Sequence, residues 1–249
     1  MNALSHEHQA LVVLKIGGSV LTGVDGYREA ARFVAARRAA EPGTKLVVVV
    51  SAEFGQTDAL LDLAHSFGDA PDPVQIDLLW STGELRSVAL LAMAVRTAGI
   101  RVAAANVHQT GLLRDSTGRM SLLSLTLRTL IEAHDVVVVP GFLACGAANA
   151  IVSLGRGGSD LSAVLIAAGL GARRCELIKD VDGYYSTNPK LTSGATHLPH
   201  IDFERSLAMA DAGCGLVQRA AIEAARAHAL PIVVRSMYAD RTTVLSHRS

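Results

Sequence analysis

The chain has 249 residues, half of them hydrophobic, with 23 Lys plus Arg against 23 Asp plus Glu and a formal net charge of zero. At roughly 150 residues per domain this is one large domain or two small ones with ample material for a buried core, and it lacks the basic excess that a nucleic-acid binder or a polybasic membrane patch requires. Cys145, Cys175 and Cys214 lie far apart without CxxC spacing, which excludes a disulfide scaffold and a cysteine-rich zinc site and fits a reducing compartment.

The polar opening MNALSHEHQA and the brevity of LVVLKI (11–16) leave no signal-peptide core. That run is the first of six short β-branched segments, the others being KLVVVV (45–50), RVAAA (101–105), DVVVVP (135–140), CELIK (175–179) and PIVVR (231–235). Several are apolar at consecutive positions, the pattern of central parallel strands covered on both faces. Helical periodicity runs near 26–40, 57–66, 75–98, 120–133, 159–170, 202–211 and 215–229. The longest apolar stretch, 87–100, is interrupted by Arg96 and reads as a buried helix, short of the about 20 apolar residues that span a membrane. Residues 68–73, with Pro71 and Pro73, read as a surface loop. The alternation predicts an α/β fold with a mostly parallel sheet and helices on both sides, in a soluble, cytoplasmic protein.

In such a fold ligands bind beyond the carboxyl ends of the strands. The strands run out into polar, glycine-rich segments: Gly17-Gly18-Ser19; Ser51-Ala52 with Gly55-Gln56-Thr57-Asp58; Gly141-Phe142 with Gly155-Arg156-Gly157-Gly158-Ser159-Asp160; Asp180-Val181-Asp182-Gly183. Lys15 before Gly17-Gly18-Ser19 suits a phosphate, with glycines exposing backbone N–H groups and the lysine as a point charge; the alternative is a plain strand-to-helix turn. The order is not that of a Walker loop, where the lysine comes after the glycines. At 155–160 a helix N-terminus attracts anions, Arg156 offers a fork for a carboxylate, and Asp160 suits an ammonium group. Together they suit an α-amino acid, against an alternative in which Ser159 or Asp160 is only an N-cap. Asp180 and Asp182 suit magnesium or nucleotide hydroxyls, or simply build an Asp-Gly turn. Glu84, inside the apolar LLWSTGELRSVALL, either pairs with Arg86 or another cation or contacts a ligand. His197 and His200 lack a third ligand, so no protein-held metal site is predicted.

Taken together these motifs resemble the amino-acid kinase family, and within it the aspartokinases, from about Leu11 to the C-terminus. KIGGS (15–19) and DVDGY (180–184) are shared across that family; VVSAEFGQTDALL (49–61), STGELRSVALL (81–91), PGF (140–142) and SLGRGGSDLSAVLIA (153–167) resemble aspartokinases more narrowly. The resemblance implies a three-layer αβα sandwich with an acceptor lobe at about 11–172 and a nucleotide lobe at 173–249. It implies ATP-dependent phosphorylation of the side-chain carboxylate of aspartate or a close analogue. Lys15 would stabilise the transferring phosphoryl group, with Gly17, Gly18 and Ser19 along its path. Ser51 and Thr57 would lie by the reacting carboxylate. Arg156 would clamp the α-carboxylate and Glu84 and Asp160 the α-amine, beside Phe142 and Ser159. Lys179, Asp180, Asp182, Gly183, Tyr185, Asn188, Pro189 and Lys190 would serve ATP and its Mg2+. Relatives form homodimers or larger assemblies, and the same is expected here.

The sequence departs from that pattern in three places. It opens KIGGSV rather than KFGGTS. It ends soon after the last strand, so control through C-terminal regulatory ACT domains is expected to be absent. The family's phosphate-contacting lysine in the segment resembling GAKVLHPRA is Gly215 here, leaving Lys179 and Arg219 as its candidate replacements. The glycine motivates an alternative function, a non-catalytic member binding nucleotide, an oxyanion or a partner subunit. A kinase of a phosphorylated or carbamate-like acceptor is a third possibility, disfavoured because Arg156, Asp160 and Glu84 suit a zwitterion.

Overall fold

The computed structural model describes residues 10–155, 157–189, 191–192 and 194–247. In chain order its elements are β1 (Leu11–Ile16), α1 (Gly23–Ala40), β2 (Lys45–Val50), α2 (Gln56–His65), α3 (Pro73–Thr97), β3 (Val102–Ala104), α4 (Val107–Thr110), β4 (Leu112–Arg114), β5 (Met120–Leu122), α5 (Leu125–Ala133), β6 (Val136–Pro140), β7 (Leu143–Cys145) and β8 (Ile151–Ser153). Next come α6 (Gly158–Leu170), β9 (Cys175–Lys179), β10 (Tyr184–Tyr185), β11 (His197–Leu198), β12 (His200–Asp202), α7 (Phe203–Asp211), α8 (Arg219–Ala227), β13 (Ile232–Ser236) and β14 (Thr242–Ser246).

All six sequence-predicted strands lie in one eight-stranded sheet of order β12-β14-β13-β9-β1-β2-β6-β3. The run from β13 to β3 is parallel, while β14 pairs antiparallel with β13 and carries β12 with it. The consecutive apolar residues are explained by two cores, one on each face. Val12, Leu14, Ile16, Val48, Val138 and Ile178 face α1 and α3, meeting Ala30, Val34, Val88 and Leu91. Val13, Val47, Val49, Val137 and Leu177 face the opposite core, which holds Leu127 of α5, Ile166 of α6 and Ile222 of α8. Because side chains alternate along a strand, this parity decides which face each charged rim residue serves.

One predicted helix is corrected. Residues 120–133 do not form a single helix: Met120–Leu122 pairs antiparallel with Leu112–Arg114, and the helix begins only at Leu125. The cause is local turn chemistry. Asp115 accepts hydrogen bonds at its side chain from the Thr117 and Arg119 amides, and its carbonyl accepts from Gly118 N. The last predicted helix, 215–229, starts at Arg219, because Val217 is buried in the core and Gln218 takes the N-cap. By length and composition α3 would cross a membrane, but its Val88, Leu91 and Val95 pack into the sheet.

Candidate active site

The loops after β1, β2 and β6 are stitched together at the carboxyl edge of the sheet. Ser51 N donates to Ile16 O at 3.2 Å, Phe54 N to Gly18 O at 3.2 Å, and Gly141 N to Val50 O at 2.8 Å. A Cβ on Gly18 would lie 2.2 Å from the Ala52 carbonyl oxygen, and one on Gly141 would lie 3.1 Å from Ser159 Cβ. These two glycines therefore permit close backbone approach. The second brings the N-terminus of α6 against the ends of β2 and β6. Phe142 adopts φ 65°, its amide donating to Ser162 Oγ at 3.1 Å and its carbonyl accepting from Leu154 N at 2.8 Å. Its ring meets Trp80 edge-on at 5.6 Å, and Trp80 Nε1 donates to the Thr57 carbonyl at 3.1 Å. Phe142 is thereby connected to the segment carrying Thr57.

Strand parity turns Lys15 and Lys179 to the α6 face, in the same phase as Val13 and Leu177. Asp160, in the first turn of α6, meets both. Lys15 Nζ lies 3.0 Å from Oδ1, and Lys179 Nζ donates to Oδ2 at 2.7 Å. Asp160 is 3% exposed and Lys15 7%. Burial alone would push the Asp160 carboxyl up, but the two ammonium groups outweigh it and hold it below the usual carboxylate range. Burial and the neighbouring Lys15 charge lower Lys179 against the opposing pull of Asp160. Two lysines against one carboxylate give this largely buried cluster an excess of positive charge, an arrangement that favours an anion. Gly17 adjoins it, its would-be Cβ 3.3 Å from Lys15 Nζ. Ser19 is exposed at the mouth. Asp160 thus does in this structure what sequence alone did not suggest: it holds two lysines rather than standing free for an ammonium group.

Glu84 enters from α3, where Gly83 lets the helix approach Ala52, Gln56 and Leu60, to within 3.2–3.4 Å of a would-be Cβ. The carboxyl is 3% exposed, and Oε2 has no hydrogen-bond partner among the described residues. Burial pushes it up to about 8, against the Ala52 amide and the Lys15 charge. Of the two sequence readings, pairing with Arg86 is corrected: Arg86 pairs with Glu53 at 3.2 Å instead. A buried carboxyl without a full set of partners suits an incoming donor.

Beyond β9 the chain turns through Asp180-Val181-Asp182-Gly183. Gly183 is packed against Thr243 of β14, whose Oγ1 would lie 2.3 Å from an added Cβ. Thr243 Oγ1 accepts from Tyr184 N at 2.8 Å and donates to Leu198 O at 2.6 Å. Tyr185 donates to Asp182 Oδ1 at 2.8 Å. Gly183, Tyr185, Asn188 and Pro189 line a cavity of about 570 Å³, closed on its other side by Met209 and by 212–216, including Gly215. Asp180 is exposed just before it. Thr243 and Met209 carried no sequence signal, since each lies far along the chain in an unremarkable segment; Gln218, packed against Gly157, lies in the segment resembling GAKVLHPRA but was given no role there. Arg156 and Lys190 lie outside the described residues. The structure therefore groups Lys15, Gly17, Asp160 and Lys179, with Gly18, Ser51 and Ala52 joining that edge to the Glu84 side. Tyr185, Asn188 and Pro189 belong to the separate cavity.

Residues 10–236 match the family model described as the amino acid kinase family. The chain is 39% identical over 237 residues to an aspartokinase of Mycobacterium tuberculosis, covering 93% of this chain and 56% of that protein. It thus spans about half the length of the curated relatives it matches. A solved aspartate kinase from Synechocystis superimposes with a TM-score of 0.87 at 35% identity, over 96% of this chain and 40% of that one. Escherichia coli aspartokinase III, solved with aspartate and ADP, shares the fold with a TM-score of 0.84 at 23% identity, over 96% and 65%.

Proposed function

Since this chain belongs to the amino acid kinase family, we propose that it transfers the γ-phosphoryl group of ATP to the side-chain carboxylate of aspartate or a close analogue. The observation that carries this reading is the placement of the buried Lys15 ammonium beside Gly17 and Asp160, with the buried Glu84 carboxyl near enough to feel its charge. One edge of the sheet thus offers a cation for a phosphoryl oxygen and an acid for an amino group. Resemblance to aspartokinases in STGE and GRGGSD narrows the acceptor to an amino acid, with Arg156 taking the α-carboxylate. Residues of about 11–172 would form the acceptor side and 173–249 the nucleotide side. A cavity of about 570 Å³ beyond β9 has the size of a small-molecule site and accommodates a nucleoside.

The acceptor carboxylate is already an anion near neutral pH, so no general base is required. Its oxygen forms the new bond to the γ-phosphorus as ADP departs, and the chain supplies alignment and positive charge. Among the described residues no three His, Cys, Asp or Glu side chains cluster as a metal site. Magnesium carried by the nucleotide phosphates would take Asp180 or Asp182 as its protein contact.

A hydroxamate assay with ATP, Mg2+ and aspartate tests the proposal. The chain should form aspartyl hydroxamate, and Lys15→Ala and Arg156→Ala should each lower turnover about 100-fold or more. Turnover on a phosphate acceptor that ignores Arg156→Ala would overturn the acceptor assignment. ATP binding without turnover on any amino acid would favour the non-catalytic alternative.

A further inference from the structure

Two ammonium groups on one buried carboxylate are more than Asp160 needs for its own neutralisation. One lysine would balance its charge; the second leaves the group cationic and adds desolvation cost. Lys179 reaches Asp160 from β9 and Lys15 reaches it from the adjacent parallel strand β1. Lys179 hydrogen-bonds one oxygen and Lys15 forms an ion pair at the other, so the carboxylate spaces the ammonium groups rather than merely pairing with one of them. Lys179 also stands directly before Asp180-Val181, and Val181 begins the lining of the 570 Å³ cavity. The strand that carries it therefore leads from the lysine pair on Asp160 into the segment that lines the cavity.

The segment 213–217 supplies no cation at its own position. Gly215 lines the cavity and is exposed, with open space around a would-be Cβ. Arg219 is engaged elsewhere, bonded to Asp211 and paired with Glu223 at 3.1 Å on the α7–α8 surface. On the reading that this rim takes ATP, we propose that Lys179 is a catalytic residue that holds the γ-phosphoryl end of the nucleotide together with Lys15. It supplies from β9 the charge absent at residue 215. Asp160 is then a positioning residue that fixes the spacing of the two lysines.

Calorimetric titration of the whole chain with Mg-ATP and with Mg-ADP tests this apart from any acceptor. Lys179→Gln keeps a polar side chain one atom shorter, with a donor for Asp160, while removing the charge. It should weaken ATP by about tenfold or more, as expected for one lost charge-assisted contact, while ADP changes by less than about threefold. Lys179→Thr combined with Gly215→Lys returns the charge from the other segment and should recover most of the ATP-over-ADP preference. Equal weakening of both nucleotides, no weakening of either, or failure of the double variant to recover that preference while it melts at the wild-type temperature would overturn the proposal. A wild-type chain that binds ATP but forms no aspartyl hydroxamate would sink the acceptor assignment alone, and the nucleotide comparison would still decide Lys179. A chain that binds neither nucleotide would overturn both.

Discussion

Glu84 shows at the scale of one residue how burial changes chemistry. Its carboxyl ordinarily titrates at 4.5 and is pushed up to about 8 by desolvation. Below pH 4.5 the folded and unfolded chains both hold this proton. Between 4.5 and 8 the unfolded chain releases a proton that the folded chain retains, so stability falls as pH rises. The loss approaches about 1.4 kcal/mol per pH unit. Glu84→Gln abolishes that dependence, and its urea midpoint relative to wild type should climb steadily across the same interval. Parallel pH curves for the two proteins would show that Glu84 is ionised when folded. The composition of the 78–91 stretch marked Glu84 as costly to bury, yet which cation it avoided was legible only once Arg86 was seen on Glu53. Lys15 and Asp160 were each legible as rim residues. Their direct contact was not, because it depends on the side-chain parity of β1 against the first turn of α6.

At the scale of elements, local signals and tertiary demands mostly agree. α3 begins where Asp72 accepts from Val74 N at 2.9 Å and Pro73 takes the first turn, a start that suits the missing proline N–H. Asp72→Ala should lower stability by about 1 kcal/mol and leave phosphoryl transfer unchanged, since the cap lies far along the helix from Glu84. A thermal melt and the hydroxamate assay check the two halves. The strands of the parallel sheet were legible because a strand buried on both faces is a run of β-branched residues with no alternation to misread. The short strands β4, β5, β7 and β8 were not. They have three residues each, too few to impose a period, and the Leu-rich stretch after Met120 imitates a helix. Only the turn around Asp115 separates hairpin from helix, and its hydrogen bonds emerge when the chain is folded back.

Across the whole molecule the two edges of the sheet divide the work. The carboxyl edge carries the glycine loops and the lysine pair, while Glu176 lies inside the sheet at 1% exposure, turned to the α1 face. It accepts from Arg37 Nη2 at 2.7 Å and from Arg174 Nε at 2.8 Å, with Arg235 Nη1 at 3.4 Å. It therefore ties α1, β9 and β13 together. Glu176→Ala would leave Arg235 without this partner and Arg37 and Arg174 on Glu41 alone, and should cost about 3 kcal/mol, measurable as a lowered urea midpoint with an unchanged slope. A near-neutral effect would show that the arginines relax into solvent. The sequence by itself determined the α/β alternation, the two-faced strands and the glycines at their ends, because steric preference and hydrophobic periodicity act between near neighbours. Tertiary structure alone decided that one aspartate bridges two lysines, that Thr243 locks the Asp182–Gly183 turn, and that Glu176 gathers three arginines. Those contacts join residues distant along the chain, and only strand order, register and side-chain parity bring them within a hydrogen bond's length.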